Sequence, residues 1–212
     1  MPAARRPEGA ERYVPDRRSL GRMREAVQAC RGCDLWRDAT QAVFGEGSAH
    51  AALVLVGEQP GDQEDRQGHP FVGPAGRLLD RGLESAGIES GMVYRTNAVK
   101  HFKWEPRGKR RIHKSPSRWE VAACGPWLAA ELDALSPEVL VLLGATAAQA
   151  LFGPGFRVTR ERGRPHPGPG RATAVATVHP SAVLRARDED RGREMDLFVD
   201  DLRAAAALLG QG

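Results

Sequence analysis

One histidine stands inside a run of cations, Lys109-Arg110-Arg111-Ile112-His113. The window around it, Lys100 to Arg118, sets eight lysines and arginines against a single carboxylate, Glu105. Fixed positive charges make an imidazole resist a further proton, which leaves a nitrogen lone pair free. A neutral imidazole among groups that attract phosphate suits a nucleophile or base working on nucleic acid. A solvated basic loop has the same composition, so the cluster needs support from the rest of the chain.

Four other stretches carry residue types with chemical uses. Cys30-Arg31-Gly32-Cys33 has the spacing of a zinc knuckle, a redox dithiol or an iron–sulfur ligand pair, and spacing does not choose among them. The third cysteine, Cys124, lies far along the chain, and an odd count argues against a disulfide framework. Gly57-Glu58-Gln59-Pro60-Gly61-Asp62 follows an apolar run, with Glu58 and Gln59 at the lip of the turn. Phe71 sits in His69-Pro70-Phe71-Val72-Gly73, off any periodic apolar face, where it serves either as core or as a stacking platform for a flat base. Asn97 offers an amide donor and acceptor able to match a base edge, unless backbone groups use both. His179 opens His179-Pro180-Ser181-Ala182-Val183-Leu184-Arg185.

The elements that must position these residues follow from hydrophobic patterning. Segments 51–56, 93–100, 139–143 and 173–178 predict strands, of which 51–56 is a continuous apolar run, the pattern of a strand buried on both faces. Between and around them, helices are expected over 19–29 (Leu20, Met23 and Val27 on one face), 77–86, 117–135, after 146 and over 194–209. The last has a stripe at Leu197, Phe198, Leu202 and Ala205. Strand–helix alternation predicts an α/β fold: a three-layer α/β/α sandwich on a four-stranded parallel sheet. Glu58, Asn97 and His179 then leave the carboxyl ends of strands, where open α/β sheets bind ligands. Segments 100–118 and 160–172 are expected as loops. Residues 1–18, polar and Arg-rich, are expected as a disordered tail, and 19–212 as one domain.

The chain's 212 residues suit such a domain, and its net charge is +4. The 100–118 window exceeds that total by itself, so the charge is concentrated and favours an acidic polymer as partner. No apolar run is long enough to span a bilayer and no secretory pattern is seen, so a cytoplasmic protein without a membrane partner is expected. A monomer is expected.

Taken in order, the Cys30/Cys33 knuckle, GEQPGDQED (57–65), HPFVGPAG (69–76), TNAVKHFK (96–103), KRRIH (109–113) and HPSAVLR (179–185) resemble the uracil-DNA glycosylase superfamily. Within it they look most like the UdgX-type branch of the iron–sulfur glycosylases related to family 4, with KRRIH as the discriminating motif. The resemblance implies that Asn97 reads uracil, Phe71 stacks on the flipped base, and His179 donates to the departing base. Glu58 and Gln59 would lie beside the sugar. Gly57 and Asp62 belong to the same motif, and Ser181, Arg185, Lys109 and Arg110 would grip substrate DNA. His113 would attach covalently to the deoxyribose, giving single turnover. Single-stranded uracil-DNA is the expected substrate, because flipping costs least there. An ordinary turnover glycosylase and a non-catalytic metal-containing damaged-DNA-binding protein are the alternatives.

Family 4 relatives use four cysteines, and this chain has three. His101 stands where they carry another, so the resemblance implies a 4Fe-4S cluster on Cys30, Cys33, His101 and Cys124. Rieske centres give precedent for histidine ligation. A Cys₃His zinc site uses the same donors and is the alternative.

Overall fold

The computed structural model describes residues 8–210. Its centre is a sheet of six strands: β1 (Glu46–Gly47), β2 (Leu53–Gly57), β3 (Val93–Asn97), β6 (Val139–Leu143), β7 (Pro165–Pro167) and β8 (Thr173–Thr177). Their order is β1-β3-β2-β6-β8-β7. The inner four are parallel, as the apolar runs predicted; β1 and β7 add short antiparallel edges. Each edge strand is two or three residues long, too short for an apolar pattern to reveal it.

Alternate residues of the inner strands feed two cores. Val54, Val56, Leu140, Leu142, Ala174 and Ala176 pack with α4 (Arg118–Leu135) and α5 (Ala145–Phe152). Leu53, Leu55, Val139, Val141 and Val175 face α3 (Pro74–Ser85), α7 (Pro180–Arg185) and α8 (Asp188–Ala206). Helices on both faces of a mainly parallel sheet make the expected three layers. α3 and α8 approach so closely that a Cβ on Gly82 would stand 2.7 Å from the Phe198 ring. Of the expected stripe on α8, Phe198, Leu202 and Ala205 are buried, while Leu197 faces solvent.

A third core joins the amino-terminal segment to α4. Met23 of α1 (Leu20–Ala26), Val27, Cys30, Cys33, Phe44, Cys124 and Trp127 are buried together. Part of the segment expected as a tail packs into this core. Ala10 is buried, its N–H donates to Ala123 O at 2.8 Å, and Glu11–Tyr13 forms a 3-10 turn. Residues 1–7 of the expected tail lie outside the described residues.

The other corrections fall on polar segments. The expected loop after β2 winds into α2 (Asp62–Gln67), closed by Gly68 at φ +79°. The segment 160–172 contains the end of α6 (Val158–Glu161) and all of β7. β3 ends at Asn97, three residues early, because the chain turns there to bury Lys100. The expected basic loop is a β-hairpin of β4 (Trp104–Arg107) and β5 (Arg110–His113), pairing Trp104 with His113 and Arg107 with Arg110. Its two-residue turn, Gly108-Lys109, takes Gly108 at φ +60°, which glycine tolerates at no steric cost. Among the described residues, no helix is long and apolar enough to cross a membrane.

Candidate active site

The parallel register aligns the strand ends: Gly57 sits opposite Asn97, and Leu143 opposite Thr177. The chain leaves β2 toward β3 on one side and β6 toward β8 on the other, so the crevice between β2 and β6 is the topological switch point. A cavity of about 670 Å³ opens there. Glu58, Asp62, Phe71, Asn97, His113, His179, Ser181 and Arg185 all line it. Residues expected to work together, from 58 to 185 in sequence, thus share one wall.

The floor is shaped by missing side chains. A Cβ on Gly57 would lie 2.4 Å from Asn97 Oδ1 and 2.8 Å from Phe71 Cζ, so only glycine lets the amide and the ring approach. Phe71 holds φ +59°, a left-handed backbone that costs a bulky residue energy and recurs at functional sites. Gly76 makes that conformation possible, because any Cβ there would run into Phe71 O. Both Phe71 and Asn97 are buried.

His179 has a defined tautomer. The Ser181 N–H donates to Nδ1 at 3.2 Å, so Nδ1 is unprotonated and the neutral ring carries its proton on Nε2. The Ser181 hydroxyl lies 2.8 Å from the same nitrogen. Burial, assisted by His113 and Arg185, pushes the His179 pKa down to about 4. The ring is therefore a neutral N–H donor across the physiological range. Ser181, expected to grip DNA, here orients His179.

His113 Nε2 lies 3.5 Å from Glu58 Oε1, and the His113 side chain is half exposed. The hairpin that carries it is tied down by two polar anchors. Gln59 donates from Nε2 to Lys103 O and Lys114 O, both at 3.1 Å, and accepts from Lys103 N at 3.2 Å. Its amide clasps the two ends of the hairpin, while Gln59 also lines the cavity beside Glu58. Arg111 reaches from β5 to Asp62 and, at 2.7 Å, to the fully buried Asp65. Burial works against charge on Asp62, yet hydrogen bonds from Arg66 and Arg111 hold its carboxyl below the usual range. Asp62 is thus first a hairpin anchor.

The cations do not crowd His113 as their sequence suggested. Lys103 pairs with Glu120, Lys114 with Glu105, and Arg111 with two aspartates. Lys100 is fully buried: Nζ donates to Glu131, to Thr96 Oγ1 at 2.7 Å and to Asn97 O at 2.8 Å. The charged neighbour His113 meets is a carboxylate, Glu58. Lys109, on the hairpin turn, and Arg110, at the start of β5, are exposed and do not line the cavity.

The sequence reasoning missed Thr146, which also lines the cavity and whose hydroxyl donates to Glu58 Oε2. Its signal was present: Gly144-Ala145-Thr146 follows an apolar strand, as the other site loops do.

The chain from residue 44 to 203 matches the family model of the uracil DNA glycosylase superfamily. The chain belongs to that superfamily. It is 37% identical over 186 residues to a type-4 uracil-DNA glycosylase of Thermotoga maritima, covering 87% of this chain and 92% of that protein. A type-4 uracil-DNA glycosylase of Sulfurisphaera tokodaii is 36% identical over 78% of this chain and 76% of its own. The corresponding protein of Archaeoglobus fulgidus is 37% identical over 78% and 83%. This superfamily member's candidate metal donors do not line the cavity, and the three cysteines among them belong to the third core.

Cys30, Cys33, Cys124 and His101 are all buried. Trp127 Nε1 donates to Cys30 Sγ and the Lys100 N–H to Cys124 Sγ, each at 3.3 Å. Burial pushes the Cys33 thiol up to about 11 and the Cys124 thiol up to about 12, and pushes His101 down to about 4. Such thiols ionise only if a metal supplies positive charge, while a neutral imidazole is already in its ligating form. Among the described residues, no three His, Cys, Asp or Glu side chains converge as a group able to hold one metal ion. The donor types, three thiols and a neutral imidazole, are those of a metal centre.

Proposed function

We propose that the protein excises uracil from DNA and then joins its own His113 to the sugar it has exposed. The observation that carries this reading is His113 Nε2 standing 3.5 Å from Glu58 in the cavity that also holds Asn97 and neutral His179. A flipped uracil would enter between Phe71 and Asn97, stacked on the ring and read by the amide. As the C1′–N1 bond breaks, its electron pair leaves with the base. The His179 Nε2–H and Asn97 stabilise that growing negative charge. Glu58 faces the positive charge growing on the sugar. The Nε2 lone pair of His113 forms a bond to C1′, and the imidazolium releases its Nδ1 proton to water through its exposed side. The product is a neutral N-alkyl imidazole, a poor leaving group, so turnover ends. Single-stranded uracil-DNA is the preferred substrate, since no partner base need be broken away.

Cys30, Cys33, His101 and Cys124 would hold a 4Fe-4S cluster, whose part is structural: it would pin the amino-terminal core to the root of the hairpin. Zinc on the same donors is the alternative.

A second reading is an ordinary turnover glycosylase, supported by the similarity to type-4 enzymes. There His113, half exposed, would position a water that captures C1′ in its place. One gel separates the two. A labelled single-stranded oligonucleotide with one uracil is mixed with protein, boiled in detergent and run with and without alkali. A slow band that survives boiling, lost in His113→Ser, is expected. Alkali-dependent cleavage with no such band refutes the covalent step and leaves the turnover enzyme.

A further inference from the structure

The bond from Thr146 to Glu58 spans the switch point. Glu58 follows β2, and Thr146 lies in the first turn of α5, after β6. α5 has no side-chain cap on its amino end, so the Thr146 hydroxyl could have turned back to its own helix. It reaches across to Glu58 Oε2 instead. This leaves Oε1 as the oxygen that faces His113 Nε2. A glutamate has three rotatable bonds, and Glu58 is only partly buried, so with neither oxygen held it could swing toward solvent. Gly144, at φ +94°, sets the start of α5 against His179: a Cβ there would stand 3.0 Å from the His179 Cβ. One turn thus abuts the base-side donor and holds the sugar-side carboxylate.

We infer that Thr146 is a positioning residue for the reaction, fixing the Glu58 carboxylate beneath the sugar and against His113. This rests on the glycosylase reading above. Thr146 touches no reacting atom; it acts through Glu58 alone.

The test is a double-mutant cycle with a conservative rescue. Thr146→Val keeps the shape and removes the hydroxyl, whereas Thr146→Ser keeps the hydroxyl. Each is made in the wild-type and Glu58→Ala backgrounds. Single-turnover uracil release is measured with protein in excess over a single-stranded uracil oligonucleotide, with affinity for the same DNA measured separately. A hydrogen bond to a charged group sets the scale: Thr146→Val should slow release by about ten- to a hundredfold with affinity within about twofold. Thr146→Ser should recover most of that rate, and Thr146→Val should cost nothing further once Glu58 is alanine. A similar slowing in both backgrounds, or a Thr146→Val enzyme as fast as wild type, overturns the assignment to Thr146 while leaving the glycosylase reading intact. A wild-type chain that releases no uracil overturns that reading and the role of Thr146 with it. Thermal midpoints identify a variant that fails to fold, and in that case Thr146→Ala and Thr146→Cys must both show the loss for the assignment to survive.

Discussion

Lowering the pH should weaken this protein through His179, by an amount the structure bounds. The folded ring stays neutral down to about pH 4, whereas the same side chain in the unfolded chain has the ordinary value of 6.5. Between those values only the unfolded state takes up the proton, so folding stability falls as pH drops from about 6.5 to about 4. Below about 4 both states are protonated and this contribution stops changing. At about 1.4 kcal/mol per pH unit, the gap sets a ceiling of roughly 3 kcal/mol. Urea unfolding of wild type and His179→Asn at pH 7 and pH 4.5 isolates the effect from the other titrating groups. The variant should lose less stability on acidification, by up to that ceiling. Uracil release should meanwhile show no transition assignable to His179 between pH 5 and 8. Equal acid sensitivity in the two proteins, or a His179 resonance titrating near 6.5, refutes the tautomer and the donor role built on it.

Three further outcomes are expected. Gly76→Ala places a methyl against Phe71 O, so it should cost more than about 2 kcal/mol in chemical unfolding and slow uracil release through a displaced Phe71 ring. Glu131 is fully buried and accepts from Lys100, Tyr94, Thr96 and Gly45 N; Glu131→Gln should cost about 3–5 kcal/mol by leaving a buried ammonium without its counter-charge. Protein purified without oxygen should be brown and carry iron, with His101→Ala and Cys124→Ser both losing it; colourless protein with stoichiometric zinc overturns the cluster.

β2 and β6 were the most legible strands, because burial on both faces leaves a continuous apolar run, as in Leu53-Val54-Leu55-Val56. The ends of the inner strands then located Glu58, Asn97 and His179, since loops at one edge of a parallel sheet have to meet. The hairpin was not legible. Trp104–Arg107 and Arg110–His113 have almost no apolar alternation, and their anchors, Gln59 and the Asp62/Asp65 pair, lie about fifty residues away. Lys100 shows the same limit more sharply: beside Lys103 it reads as one more surface cation, yet its partner Glu131 is carried by another element. Local composition reports charge but not where the opposite charge will be folded in.

Lys100 also ties the cavity to the cysteine core. Its ammonium holds the backbone carbonyl of Asn97, which lines the cavity, while its own amide N–H donates to the sulfur of Cys124. Between that sulfur and that carbonyl stands one fully buried residue, bonded at both ends. A substitution at Cys124 is therefore expected to reach the backbone of Asn97 through Lys100.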